Sequence, residues 1–282
     1  MMSLNDYFKK ILMIPIFIAG VSSGIFAADP YDSFPFPEGV YFLNYTVNAN
    51  ADTFNDKDGN SADNDMDFNL FQNVFRFAYY DKSLFDNTFV ANIAVPVGKI
   101  DLKGDDDSGL GDITIASGYW IIDDPETKTW MSLGLLTIAP TGGYDKNKTA
   151  NMGSNVWQIR PFLDVAKKFG KFQLEGTLRY NMYTKNNDTD VQNGSETLIE
   201  TFFGYDLPNS LIGLHLNTVL GQDKKSGGNT VDDSAVTRYQ AGISYLYNFG
   251  KGRTASLEYF KDLESKNTLD TQIFLMRLSW KF

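Results

Sequence analysis

Histidine occurs once in the 282 residues, as His215 in the stretch GLHLN, and cysteine is absent. A serine hydrolase needs a histidine beside its serine, and histidine or cysteine metal centres need several such ligands. No serine lies two residues after His215. The sequence therefore predicts no enzyme activity, no cofactor and no such metal centre, and His215 is expected to be a hydrogen-bonded interior residue.

Acidic stretches offer a different kind of metal site. Carboxylates and amides cluster in NDKDGNSADNDMD, residues 55–67, and in Asp105-Asp106-Asp107. In the first stretch glycine and asparagine stand in the wrong order for the twelve-residue calcium loop. Solvated surface loops are favoured at both places, with metal binding or contact with lipopolysaccharide left open.

Charged residues also recur at alternate positions within apolar stretches, which is the period of a strand and places them on one face. Five arginines share this face with four acids, a balance that predicts little net field and weak ion selectivity. Three phenylalanines on the same face suit a neutral or aromatic solute. The predicted lumen-lining residues are Arg76, Arg160, Phe162, Asp164, Glu175, Arg179, Glu200, Phe202, His215, Arg238, Glu258, Phe260 and Arg277.

The elements that would position this face are strands. At the end of the chain, TQIFLMRLSWKF places Phe274, Met276, Leu278, Trp280 and Phe282 at every second position, with charged and polar residues between them. Turn residues divide the chain into twelve such segments. They cover residues 39–51, 66–80, 87–98, 110–122, 128–140, 153–168, 172–185, 196–207, 211–222, 235–249, 253–264 and 270–282.

The connections alternate in length. Short turns such as Gly170-Lys171 separate pairs of segments, and longer polar loops lie between the pairs: residues 48–65, 102–109, 141–152, 186–194 and 223–233. This alternation is typical of bacterial outer-membrane barrels whose termini face the periplasm. We therefore predict an all-β fold, a twelve-stranded antiparallel transmembrane β-barrel of the bacterial outer membrane, whose apolar face meets lipid.

The N-terminus resembles a secretory signal. Lys9 and Lys10 precede the apolar run ILMIPIFIAGV and then small residues, so residues 1–27 are predicted to be removed on export. Residues 28–282 would form one domain, with residues 28–38 as a periplasmic or lumen-inserted segment. The net charge of −10 argues against a nucleic-acid partner.

Three motifs carry a family resemblance. GLGD begins at Gly109, PTGGYD at Pro140 and NMGSNVW at Asn151. This series resembles the outer-membrane family named for the meta-pathway of phenol degradation. The matching positions, expected to anchor loops, are Gly109, Gly111, Asp112, Pro140, Gly142, Tyr144, Asp145, Asn151, Gly153, Asn155 and Trp157.

The resemblance implies a monomeric, passive channel for uptake of small, mainly hydrophobic or aromatic organic molecules. Its partners would be outer-membrane lipid, lipopolysaccharide and the barrel assembly machinery. Two alternatives remain open: a channel for small hydrophilic nutrients, and a closed structural or adhesive barrel.

Overall fold

The computed structural model describes residues 30–83 and 87–282, so the predicted signal peptide and residues 28–29 lie outside the described residues. In this part of the chain twelve long strands form one closed antiparallel sheet. Each overlaps one predicted segment, and the predicted barrel is confirmed. The strands are β1 Gly39–Ala51, β2 Phe68–Asp81, β3 Phe89–Leu102, β4 Thr114–Asp124, β5 Thr129–Ile138, β6 Gln158–Phe169, β7 Phe172–Tyr183, β8 Glu196–Asp206, β9 Ser210–Gly221, β10 Thr237–Gly250, β11 Arg253–Lys266 and β12 Gln272–Lys281.

The sheet closes through β1, which pairs with both the second and the last strand. Leu43 lies opposite Arg76 of β2 on one side and opposite Ser279 of β12 on the other. Each remaining strand pairs with its neighbours in sequence. Closure leaves no edge of unpaired backbone groups, which is the condition for a sheet to sit in a bilayer. Among the described residues, no helix is long and apolar enough to span a membrane.

The outer surface carries a belt of apolar side chains. Leu216 on β9 and Leu257 on β11 are each 61% exposed, and the alternate apolar residues of β7, β9 and β10 are mostly exposed as well. β2 has apolar residues on both faces because its inward side also packs in a core: Phe71 is exposed, whereas Val74 is buried. The outer belt therefore faces lipid, and the inner face of β2 faces protein.

The prediction for one loop is wrong. Residues 102–109 were expected to form a polar loop, but Asp105–Leu110 is a strand that pairs with the last six residues of β3, placing Asp106 opposite Asp101. Lys103 and Gly104 make the two-residue turn with φ of 52° and 78°. Backbone pairing does not require apolar side chains, so an acidic hairpin is hard to distinguish from a loop by composition.

Short strands also occur in the predicted loops 48–65, 186–194 and 223–233 and in the connection between β11 and β12. They are Phe54–Asn55, Ser61–Asp63, Val191–Gln192, Lys225–Ser226, Asn229–Thr230 and Thr268–Leu269. Phe54 and Met66, from the loop between β1 and β2, are buried in the apolar core. This loop therefore packs against the interior of the barrel at its loop-bearing end.

Candidate functional site

The residues predicted to line the lumen lie on the inner side of the barrel. Arg76, Phe162 and Asp164 are partly buried, and the ten others are buried. The interior is divided. Apolar side chains of β1, β2, β3 and β12 form the main core, whereas charged and polar side chains gather on β6 to β11. Contact of any of these residues with a solute remains a prediction.

Buried ion pairs cross-link the polar side. The guanidinium of Arg179 lies 3.4 Å from the Glu200 carboxylate on the next strand. Asp262 lies 3.3 Å from Arg238 and also accepts a hydrogen bond from Gln240 at 3.0 Å. Neighbouring strands supply the partners, so these pairs stiffen the wall as side chains do in narrow barrels.

Arg160 is the most deeply placed arginine, with 0% of its surface exposed. It donates a hydrogen bond to Gln158, two residues earlier on β6. Its register partner on β5 is Leu136, which is also buried.

His215 contacts a serine and a carboxylate. Its Nε2 lies 2.9 Å from Ser244 Oγ and 4.0 Å from Glu258 Oε2, and its ring lies between Phe202 and Phe260 at centroid distances of 4.8 Å and 5.0 Å. In a hydrolase triad the serine and the acid contact opposite ring nitrogens. Here both contact Nε2, so the geometry differs from that of a triad.

Residues 30–38, which we call the N-terminal segment, enter the barrel and bind its wall. The Glu175 carboxylate accepts hydrogen bonds from the backbone N–H groups of Tyr31 and Ser33, at 2.9 Å and 3.0 Å. The Asp32 carboxylate lies 3.3 Å from Arg76 and 3.1 Å from Arg277. Charged groups of three strands therefore hold the segment.

Aromatic contacts add to this attachment. The Phe34 ring lies 4.7 Å from the Trp130 ring, and Trp120 donates its indole N–H to the Ser33 carbonyl at 3.1 Å. The Tyr31 hydroxyl donates to Asp206 at 2.8 Å. Burial, and then the hydrogen bond to Asp206, raise the pKa of Tyr31 above its ordinary value.

Two cavities lie beside the N-terminal segment. The inner cavity, of about 60 Å³, is bordered by Asp32 and Ser33 and by wall residues that include Tyr80, Trp120 and Phe162. The vestibule, of about 700 Å³, lies at the end of the barrel that carries the short turns and is bordered by Pro30, Tyr31, residues 34–37 and those turns. The segment thus borders both cavities.

At the opposite end the three motifs meet in one structure. Asp112, between the acidic hairpin and β4, accepts hydrogen bonds from Gly142 N–H at 2.9 Å and Ser154 N–H at 2.8 Å, and one from the Ser154 hydroxyl. Gly111 donates its N–H to Pro96 O at 2.9 Å. One carboxylate thus joins the first motif to the other two.

Glycine is required where the motif backbones cross. A Cβ on Gly142 would lie 2.7 Å from the Gly153 Cα and 2.9 Å from the Gly111 carbonyl carbon, closer than such atoms approach each other. A Cβ on Gly153 would meet the Gly142 carbonyl at 2.5 Å. Gly109, at φ 134°, has open space around it and needs glycine for its conformation alone.

The remaining motif residues close the loop between β5 and β6. Asn151 accepts the Asp145 N–H at 2.7 Å, and Asn155, at φ 55°, donates to Asp188 at 2.8 Å. Trp157 exchanges hydrogen bonds with Thr184 and has an exposed side chain. Pro140 lies just after the end of β5. Tyr144, in the loop that follows, has a partly buried side chain.

The acids of the hairpin bind this loop. Asp105 accepts the Thr149 N–H at 2.6 Å, and Asp107 accepts the Met152 N–H at 2.9 Å. No group of three or more metal-ligating side chains occurs in residues 30–83 and 87–282. The carboxylates of Asp105 and Asp107 therefore hold the loop between β5 and β6.

Several residues of the interior were missed by sequence reasoning. Asp262 lies two positions after Phe260 on β11, so alternation alone would have found it. Asp32 precedes the first strand and has no periodic signal. Ser244 is paired in the sheet with Gly213, two residues before His215 in sequence, so its contact with the imidazole is seen only in the structure. Glu196, which accepts the Tyr183 hydroxyl at 2.6 Å, stands at the first position of its strand.

Comparison with protein families gives a match over residues 51–278 to the family described as "Putative MetA-pathway of phenol degradation". The chain belongs to this family. The match spans the three motifs, the ten complete barrel strands from β2 to β11 and most of β12. The comparison with curated proteins gave no match.

Solved structures share the fold. The COG4313 outer membrane channel from Pseudomonas putida F1 is 19% identical, with a TM-score of 0.83 over 90% of this chain and 100% of that chain. The NanC porin is 10% identical, with a TM-score of 0.53 over 86% of this chain and 100% of that one. The chain therefore shares the barrel fold of these outer-membrane channels and porins. The apolar belt and the closed sheet agree with a location in the bacterial outer membrane.

Proposed function

We propose that this chain is a passive channel for the uptake of small, mainly hydrophobic or aromatic organic molecules. The observation that carries the proposal is the position of the inner cavity. Trp120, Phe162 and Tyr80 border it beside charged side chains such as Asp164 and Arg179, and the N-terminal segment borders both this cavity and the vestibule. Aromatic walls suit a neutral or aromatic solute that is only partly desolvated on its way through.

The conformation described is a closed one. A cavity of about 60 Å³ holds only a few water molecules. The buried side chains of the core and the N-terminal segment fill much of the remaining interior. Opening therefore requires displacement of the segment. Because the segment is held by hydrogen bonds and ion pairs, it can exchange between two positions without an energy source.

A second candidate is a closed structural barrel, and the filled interior favours it. Uptake into vesicles distinguishes the two. The vesicles would carry the refolded protein and an outer leaflet of lipopolysaccharide, because neutral aromatic molecules cross ordinary lipid unaided. Benzyl alcohol and a monosaccharide would be compared as solutes, in the natural chain and in a Glu175→Ala variant that weakens attachment of the segment.

Benzyl alcohol is expected to enter faster than the monosaccharide, and entry is expected to be faster still through Glu175→Ala. Phe162→Asp should slow benzyl alcohol because it places a charge in the aromatic wall of the inner cavity. Faster entry of the monosaccharide would favour the hydrophilic-nutrient alternative. Equal rates in empty vesicles and in vesicles carrying folded Glu175→Ala would leave the structural barrel.

A further inference from the structure

We infer that Arg76 and Arg277 form a binding site for the carboxylate of an aromatic acid, and that Asp32 occupies this site in the closed conformation. The inference rests on the proposed channel function and deepens it by assigning a solute class. It is carried by what Asp32 contacts, by the groups beside it and by the cavity that it borders.

The first argument is the contact itself. The two oxygens of the Asp32 carboxylate are divided between two arginines, one on β2 and one on β12. Guanidinium groups bind planar anions with directed hydrogen bonds, so this arrangement recognises a carboxylate rather than a neutral group. The carboxylate is supplied by a chain segment, not by the barrel wall.

The second argument is how firmly the arginines are held. Arg277 has 2% of its side chain exposed, and it donates to the Pro30 carbonyl at 2.8 Å. Arg76 donates to the Tyr45 hydroxyl at 3.1 Å, and Tyr45 is completely buried. The barrel wall thus fixes the Arg76 guanidinium, whereas the Arg277 guanidinium is buried and makes a second contact with the segment. An arginine that is already held binds its ligand with less loss of entropy.

The third argument is the surrounding space. The inner cavity touches Asp32 and Arg76 and continues along Tyr80, Trp120 and Phe162. If the carboxylate of an aromatic acid took the position of Asp32, the ring of the acid would lie beside these aromatic side chains. The cavity would widen when the segment leaves. The N-terminal segment itself carries the same pair of groups, a carboxylate at Asp32 and a phenyl ring at Phe34 that packs on Trp130.

These observations describe a site in which the solute competes with the segment. An aromatic acid arriving from either side replaces Asp32, and loss of that contact weakens the attachment of the segment and opens the path between the cavities. Among the remaining anchors, Glu175 holds the backbone N–H groups of Tyr31 and Ser33.

The test is calorimetric titration of the refolded protein with benzoate and with benzyl alcohol, which differ in the carboxylate. Asp32→Asn removes the competing charge and should tighten benzoate binding by about tenfold, as expected for freeing a charge-assisted contact. Glu38→Gln is the matched control, since Glu38 lies on the same segment, is exposed, and loses the same charge. It should bind benzoate like the natural chain.

Variants of the two arginines test whether they form the carboxylate site. In the Asp32→Asn background, Arg277→Gln should remove the gain for benzoate and leave benzyl alcohol unaffected, and Arg76→Gln provides the same test if the first variant does not fold. Folding is checked by the heat-dependent shift in gel mobility. Equal binding of benzoate and benzyl alcohol, or no tightening by Asp32→Asn, would overturn the inference.

The emission of Trp120 and Trp130 reports on the segment, because both side chains contact it. Benzoate should change this emission in the natural chain, and benzyl alcohol at the same concentration should not. Binding of benzoate without solute entry into vesicles would contradict the channel function while supporting the carboxylate site. Entry of benzyl alcohol without benzoate binding would do the reverse.

Discussion

Glu175, on the barrel wall, accepts a hydrogen bond from the backbone N–H of Ser33 in the N-terminal segment at 3.0 Å. The contact joins a position that alternation placed in the interior to a segment that no periodicity describes. Both partners are buried, so breaking the contact exposes a carboxylate and a backbone donor that then need other partners.

Glu175→Ala is expected to raise the open fraction of the channel. It removes the acceptor of two backbone hydrogen bonds, and each bond to a charged acceptor contributes about 1.5–3 kcal/mol. Single-channel recording in planar bilayers measures the result as longer or more frequent openings. Glu196→Ala is the control, because its carboxylate contacts Tyr183 and Asn181 and does not contact the segment. Unchanged recordings for Glu175→Ala would contradict a gating role for the segment.

Alkaline pH is expected to release the N-terminal segment through Tyr31. Because the pKa of Tyr31 is raised in the folded protein, its contribution to docking is fully present below the ordinary tyrosine value of about 10. That contribution decreases as the pH rises from there toward the raised pKa. Emission of Trp120 and Trp130, followed against pH, reports the release. Tyr31→Phe loses the hydroxyl and should lose this pH dependence; the same curve in both chains would exclude Tyr31 as its source.

Removal of Asp112 is expected to detach the loop between β5 and β6 without unfolding the barrel. Asp112→Ala breaks the hydrogen bonds to Gly142 and Ser154. Trypsin should then cut faster at Lys146 and Lys148, which lie in that loop. Asp106→Ala is the control, since its carboxylate pairs with Lys99 on the exposed hairpin. Equal cutting rates in the two variants would show that the motif carboxylate does not hold the loop.

Two adjacent glycines are expected to respond differently to alanine. Gly142→Ala places a Cβ against the backbones of Gly111 and Gly153 and should lower the free energy of unfolding by about 1–3 kcal/mol. In Gly143→Ala the new Cβ meets only the Asp107 carboxylate, at 3.6 Å, and stability should change little. Urea unfolding in lipid vesicles measures both. A Gly142→Ala chain as stable as Gly143→Ala would show that the crossing relaxes easily.

Removing one partner of the Arg179–Glu200 pair is expected to destabilise the barrel more than replacing both partners. Arg179→Met leaves the buried Glu200 carboxylate without the guanidinium at 3.4 Å and should destabilise the barrel by about 3–5 kcal/mol. The double variant Arg179→Met with Glu200→Leu removes both charges and should recover most of that loss. Urea unfolding again gives the comparison. A double variant no more stable than Arg179→Met would show that the unpaired Glu200 carboxylate is not what destabilises the single variant.

The pattern of amino acids is enough to predict the barrel and most of its faces. Alternation in β7, β9 and β10 assigned lipid and interior correctly because each residue of a strand points opposite to its neighbour, and lipid and a polar interior select opposite side chains. β2 could not be assigned in this way, since its inner face packs in an apolar core and looks like its outer face. The acidic hairpin was missed for a related reason: its pairing uses the backbone.

What fills the interior depends on contacts that form only in the folded barrel. The N-terminal segment has no period, and its place depends on Asp32 meeting Arg76 and Arg277, which lie 44 and 245 residues away in sequence. The motifs around Asp112 likewise join positions 30 and 42 residues apart. Local patterns report the environment of one strand, whereas a closed channel and its carboxylate site arise from contacts between groups that only the closed sheet brings together.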